Sequence, residues 1–446
     1  MKSARLSPKS HRPSATVTSL AAAAWLVCGT SLAQTQVVKP PVAQYWMDVA
    51  TISMAGMDDM PDMGAMGGLM GSMTGMPGLG GVSFGATRGM MPGRWLDLAV
   101  KTQLKPAGTE AVQNIPAGQA MGRSLTLLPV KPQASSSATG SRDPASVDEV
   151  PERPKGRILF YWGCGDTVRA GQPRILDFAK AGAEDWGKFM MGRATRDTGA
   201  RAIPGHAIWP NEIHRQKVPP QASLAGPHAL QGEGLPASLQ FTLGAQQDFM
   251  PRLALSSQGG GAAATQISWP VMPTARAYFL NAMSGSDNAG ATEMVIWSSS
   301  DVPEPGWGLM DYATNPNIDK WLQEKVLLSA TKTDCAIPAG VFAKAEGAML
   351  RGMAYGHELN LAHPPRPVDK RIAWEPEWAA KIRVKAMTMV MLGQESAQRP
   401  SRPGKLGNAP QETQPQQAPP TPQSPGLPGL PGLPDVGKAL KGLFGG

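Results

Sequence analysis

From about residue 235 to residue 390 the chain is written in short segments that alternate apolar and polar side chains, cut by clusters of Gly, Pro, Asn and Ser. A period of two describes a strand with one buried face, and segments this short bury little until they pair. Residues 238–243 alternate, and 251–256 put Leu253 and Leu255 on one face. Strands are expected again over 265–269, 276–280, 293–298, 326–329, 348–355, 357–361 and 381–390. In the last, Ile382, Val384, Ala386 and Val390 alternate with Lys381, Arg383 and Lys385. One helix interrupts the series: Asn315 is its expected cap, Pro316 suits the first turn, and Ile318, Trp321 and Leu322 share a face. The spacing predicts an antiparallel β-sandwich over 246–392.

The N-terminal part carries the same signal more sparsely. Residues 44–53 are rich in aromatic and β-branched side chains, and 94–104 alternate. They are expected to pair as a hairpin within a module spanning 34–130, with a further strand over 120–128. Residues 131–156 read as a linker of Ser, Pro and charged residues. A second β-rich module is expected over 157–245. It opens with a strand at 157–162, a turn at 163–166, a return strand at 173–178 and a short helix at 184–191. Residues 201–232, rich in Pro, His, Gln and Gly, read as surface loop. From 393 to 446 Pro, Gln and Gly dominate, and such a tail buries too little apolar surface to offset its chain entropy. Within it, residues 435–444 place Val436, Leu440, Leu443 and Phe444 at helical spacing, a segment suited to another envelope protein or a membrane surface, with a frayed end as the plainer alternative.

Residues 1–33 have the form of an export signal. Lys2, Arg5, Lys9 and Arg12 precede an apolar stretch, no acid intervenes, and Ser31-Leu32-Ala33 presents a peptidase site. Val27 ahead of Cys28 argues against a lipoprotein, so the expected location is periplasmic or secreted, through the Sec route. No later stretch is apolar enough to span a bilayer as a helix. Removing the signal takes four basic residues from 42, leaving 38 against 34 acids, a net charge of +4 rather than +8. That balance, without clustering, excludes a nucleic-acid partner. Cys164 and Cys335 remain, and in an oxidising compartment a disulfide between them is expected. Were Cys164 free, Arg169 and Asp166 beside it would make a polar site in which the arginine favours a thiolate.

The candidate chemistry is otherwise thin. Met54, Met57, Met60, Met63, Met66, Met70, Met73 and Met76 recur almost every third residue in a Gly-rich insert, 54–92. That spacing does not hold one helical face, so a flexible loop is expected. Thioether sulfur favours Cu(I), and the run resembles the methionine-rich segments of periplasmic copper-handling proteins. A flexible Met/Gly loop that meets a partner or scavenges oxidants is the plainer alternative. His357 and His363 stand six apart in a strand-like segment, off the spacing of the helical zinc motif. His206 and His214 fall in the Pro-rich stretch and are expected to be solvated. Ser83 sits in a formal G-x-S-x-G pattern but lacks the strand before it and the helix after it. No catalytic constellation emerges.

Thr265-Gln-Ile-Ser-Trp269-Pro, followed by Ala275-Arg-Ala-Tyr278-Phe-Leu280, resembles consecutive strands of fibronectin type III and related immunoglobulin-like modules. The resemblance implies one or two immunoglobulin-like sandwiches. YWGCG and RAGQP in the stretch 156–180 make the chain similar to uncharacterised exported proteins of Gram-negative bacteria, which implies location and no activity. The expected whole is a mainly β, exported binding or structural protein, with copper handling or an unrecognised enzyme as the alternatives.

Overall fold

A computed structural model describes residues 36–55, 82–131, 155–195, 198–288, 291–345 and 347–393. The expected signal segment, the methionines from Met57 to Met76, nearly all of the linker and the tail beyond Gly393 lie outside them. The strands, in chain order, are β1 (Ala43–Met54), β2 (Gly93–Thr102), β3 (Ala111–Asn114), β4 (Ser124–Pro129), β5 (Gly156–Trp162), β6 (Arg174–Asp177), β7 (Ala207–Trp209), β8 (Gly226–Gly232) and β9 (Gln240–Leu243). They continue with β10 (Ser256–Gly259), β11 (Thr265–Ser268), β12 (Ala277–Asn288), β13 (Ala291–Ser298), β14 (Leu328–Ser329), β15 (Asp334–Ile337), β16 (Ala348–Tyr355), β17 (Leu359–His363) and β18 (Trp378–Leu392). Helix α1 (Ala183–Met190) follows β6, and α2 (Asn315–Gln323) follows β13.

Fifteen of the strands share one sheet, in the order β6-β5-β13-β12-β16-β18-β1-β2-β7-β4-β3-β8-β9, with β14 paired to β12 and β17 to β18. β10, β11 and β15 form a separate three-stranded sheet. The expected hairpin of β1 and β2 is present, in antiparallel register from Ala43 opposite Thr102 to Ile52 opposite Gly93. The other side of β1 is taken by the last strand of the described chain. β18 runs parallel to it from Ala43 opposite Trp378 to Met54 opposite Met389. β5 and β13 are also parallel, so the large sheet is mixed where antiparallel pairing was expected. Alternation reports which face of a strand is buried, and it carries no information about the direction of the neighbour.

β1 and β18 are central strands, apolar along most of one face and, toward the ends where Met54 and Met389 pair, on the other. Ala43, Tyr45, Met47 and Val49 join Ala380, Ile382, Val384 and Ala386 in the larger core, which also takes in Trp269, Tyr278, Trp297, Phe241 and Leu230. The opposite face holds Ala50, Ile52, Met387 and Met389 against Phe279, Ile318, Trp321 and Val326 from β12, α2 and the segment after it. Trp209, Trp297, Tyr45, Tyr278 and Phe279 are fully buried, each worth about 1.5–3 kcal/mol of removed surface or more. A third cluster packs Phe160, Leu176 and Phe178 of the β5–β6 hairpin region on Phe189 of α1. Cys164, in the turn that follows β5, is bonded to Cys335 of β15, with the α-carbons 5.1 Å apart. The disulfide expected from the sequence thus ties the edge of the large sheet to the small one.

Several local expectations change. Residues 201–232 contain β7 and β8, and Trp209 and His228 there are buried. Proline and glycine frame these short strands and mask their alternation. Residues 251–256 are mostly irregular, and the strand begins at Ser256. The cap of α2 is Thr314, whose Oγ1 accepts from the Asn317 N–H at 3.4 Å, while Asn315 turns its amide to Arg276 and Glu358.

Candidate functional site

The register of β18, β1 and β2 stacks side chains in rows on the face opposite the larger core. The rows run Ala379–Gln44–Lys101, Lys381–Trp46–Ala99, Arg383–Asp48–Asp97 and Lys385–Ala50–Trp95. Successive rows are two residues apart on each strand and therefore share one face. The middle rows are buried and charged, and the first two open into a cleft.

Asp48 and Arg383 face one another with side chains 1% and 5% exposed. Arg383 Nε and Nη2 donate to the two oxygens of Asp48 at 2.7 and 2.5 Å, a bidentate pair. Asp48 also accepts from the Ala200 N–H at 3.1 Å. Burial opposes the charge of Arg383, but the hydrogen bonds and the attraction of Asp48 outweigh it and hold its pKa above the usual guanidinium value. The Tyr312 ring covers two cations of β18, 4.3 Å from the Arg383 guanidinium carbon and 4.4 Å from Lys385 Nζ. Lys385 is buried and donates to Asp311 at 2.8 Å. Burial lowers its pKa against the pull of that carboxylate. Arg88 bridges Asp48 and Asp311, each at 3.5 Å.

Asp97 sits opposite Asp48 and is 2% exposed. Burial raises its pKa to about 6, and the negative charge of Asp48 adds to that. Hydrogen bonds from the Gly85 N–H at 2.9 Å, the Thr87 N–H at 3.2 Å and the Thr87 hydroxyl at 2.5 Å act in the other direction. Gly199 lies directly over the pair. A Cβ there would run into the Arg383 guanidinium and the Asp48 carboxylate, so only glycine lets this segment close.

Toward the start of β1 the same face opens. A cleft of about 590 Å³ is lined by Gln44 and Trp46 of β1, Ala379 and Lys381 of β18 and Asn360 of the adjoining β17 on its floor, and by Pro365, Arg366 and Trp374 beside them. That volume lies within the range of small-ligand sites. Trp374 is anchored by backbone pairing, the Lys39 N–H to the Trp374 carbonyl at 2.9 Å and the Trp374 N–H to the Val37 carbonyl at 2.8 Å. Both tryptophans are held by neighbours. Trp46 stacks on His206, with centroids 5.1 Å apart and planes 12° apart, and Lys101 lies 5.7 Å from its ring. Trp374 donates its Nε1–H to the Pro364 carbonyl at 3.0 Å and carries Arg366 5.4 Å from its ring. Lys381 is 3.5 Å from Glu358 and 3.4 Å from the Thr198 hydroxyl, which links the cleft floor to the buried rows. Among the described residues, the charged side chains lining the cleft, Arg366 and Lys381, are both cations.

The residues singled out in the sequence lie elsewhere. Met54 ends β1, and the other seven methionines of the run are outside the described residues. No three of His, Cys, Asp and Glu come together as metal ligands among the described residues. His363 is stacked on Trp378, 5.9 Å between centroids. His206 is 6% exposed, not solvated, and burial lowers its pKa. His214 is exposed, as expected. Ser83 is exposed ahead of the short 3₁₀ turn Ala86–Arg88, which is no nucleophile elbow. Around the disulfide, Arg169 pairs with Asp301 at 2.8 Å and Asp166 accepts from Gln266 at 2.8 Å, so both satisfy the turn.

The cleft and the buried rows went unread in the sequence. A signal for the rows existed: Asp48 and Asp97 interrupt strands that are otherwise apolar or aromatic, and buried carboxylates require partners. No described helix is long and apolar enough to cross a membrane. No family model, curated protein or solved structure matches the chain.

Proposed function

We propose that the protein is an exported binding module of the cell envelope that holds its ligand in the cleft between β1, β17, β18 and residues 365–374. The observation that carries this reading is the cleft itself, with two anchored tryptophans, two cations and the amides of Gln44 and Asn360 converging on one space. The buried rows support it mechanically. They fix the strands beneath the cleft floor, so that Trp46 and Lys381 project from a rigid base. Export is supported by the signal-like residues 1–33 and accords with the Cys164–Cys335 bond. The immunoglobulin-like character expected near 265–298 enters as architecture alone. Trp269 and Tyr278 do meet edge to face there, 5.4 Å between centroids.

Hydrogen–deuterium exchange of the full mature protein, with and without a soluble extract of the cell envelope, tests the reading. Protection confined to residues 44–46, 360–366 and 374–381 is expected. Protection elsewhere, or none, refutes the assignment. A second reading, Cu(I) binding by Met54, Met57, Met60, Met63, Met66, Met70, Met73 and Met76, rests on their spacing in the sequence. An anaerobic Cu(I) titration against a competing chelator, beside a Met-to-Leu variant, decides it. Equal behaviour of the two proteins ends that idea.

A further inference from the structure

We propose that the ligand of the cleft is an acidic oligosaccharide, one whose sugar rings carry carboxylate or sulfate groups. This rests on the reading of the cleft as a ligand site. Indole faces that line a cleft offer flat apolar ground to the C–H faces of a pyranose ring. Their value depends on their being held still, because ordering a loose side chain on binding costs free energy. Trp46 is backed by His206 at 5.1 Å and Trp374 by Arg366 at 5.4 Å, with its Nε1 tied to the Pro364 carbonyl at 3.0 Å.

The polar groups then narrow the class. Gln44 and Asn360 line the cleft with amides, which both donate and accept and so suit hydroxyl groups. Asn360 uses its Nδ2 on Glu358 at 2.8 Å, which leaves its oxygen as an acceptor. A site built for a neutral sugar gains from carboxylates that accept strongly from its hydroxyls, but among the described residues no Asp or Glu lines this cleft. Its charged lining residues are Arg366 and Lys381. Arg366 spends its Nε on Gln36 at 2.7 Å. That bond orients the guanidinium, whose two terminal nitrogens match a carboxylate or sulfate edge. Lys381 is shared with Glu358 at 3.5 Å, so Arg366 is the leading anion contact and Lys381 the supporting one. An acidic peptide would use the same cations and amides, but it would lack the flat C–H ring faces that the two indoles suit.

Titration calorimetry of the full mature protein decides the matter. The probes are short oligogalacturonates, their methyl esters, sulfated heparin fragments and poly-glutamate. At least one acidic saccharide is expected to bind, about tenfold or more tighter than its uncharged counterpart, with affinity falling as salt rises. Arg366→Gln, an exposed change outside the core, is expected to abolish most of that preference while leaving the thermal unfolding midpoint in place. Trp374→Ala is expected to weaken acidic and esterified saccharides alike. Equal affinity for acid and ester, tighter binding of poly-glutamate than of every saccharide, or no binder in the set each overturns the assignment. The exchange experiment above is read separately. Cleft protection by the envelope extract without saccharide binding removes the ligand class and keeps the site. Absence of both removes both.

Discussion

Arg383→Met tests whether the charged rows beside the cleft act as a unit. The variant keeps most of the aliphatic volume and leaves the Asp48 carboxylate, 1% exposed, facing an apolar side chain. Breaking a buried pair by removing one partner costs about 3–5 kcal/mol, because the remaining charge is left desolvated. Asp48→Asn makes the reciprocal change. It keeps an acceptor for the Ala200 N–H but leaves the Arg383 guanidinium under the Tyr312 ring without its counter-charge. If the two losses were independent, the double variant would cost about 6–10 kcal/mol, comparable with the whole stability of a folded domain. The geometry predicts otherwise, since with both charges gone neither member of the pair is left as a buried charge without its counter-charge. The double variant then loses mainly the pair's hydrogen bonds and the cation–ring contact, about 2 kcal/mol. Urea unfolding of the oxidised protein at neutral pH, with slopes checked for constancy, measures all four proteins. A double variant that costs the sum of the singles to within about 0.5 kcal/mol refutes the reasoning. Two single variants that lose nothing would show that water reaches the pair.

Other outcomes follow from the same structure. The folded pKa of Asp97, about 6, lies above its ordinary 3.8, so the native state binds the proton more tightly than the unfolded chain does. Its contribution is fully present below about pH 4 and is lost as pH rises through about 6, amounting to about 3 kcal/mol at most. Unfolding midpoints from pH 4 to 7 should therefore fall less for Asp97→Asn than for the parent, and parallel curves would reject the burial argument. Gly199→Ala should lose about 1–3 kcal/mol or more through the collision with Arg383 and Asp48, read as a lowered urea midpoint. Gly187→Ala in α1, where an added Cβ meets nothing within 4 Å, should gain about 0.5–1 kcal/mol by the same assay. Cutting the Cys164–Cys335 bond, whose ends stand 171 positions apart, should cost up to about 5 kcal/mol in the chain-entropy account. Intact mass under non-reducing conditions confirms the starting state, and an unchanged midpoint after reduction would show that the small sheet holds its place unaided.

Local pattern alone was enough for the strand character of 44–53, 157–162, 348–355 and 381–390, for the β1–β2 hairpin and for the two short helices, because each rests on a period or a turn read within a dozen residues. The pairing of Cys164 with Cys335 was also within reach, since in an oxidising compartment few other partners remain. What the sequence could not decide was neighbourhood. Lys381, Arg383 and Lys385 looked alike on one polar stripe of β18. The structure places the first at the floor of a cleft and buries the other two, and only the parallel register with β1 brings Asp48 opposite Arg383. Trp46 and Trp374 stand 328 positions apart in the chain and line one cleft for the same reason. Alternation is a property of single strands and survives any choice of partner. The site is a property of which strands lie side by side and in what register, and that is set by the summed burial of both faces across the whole sheet.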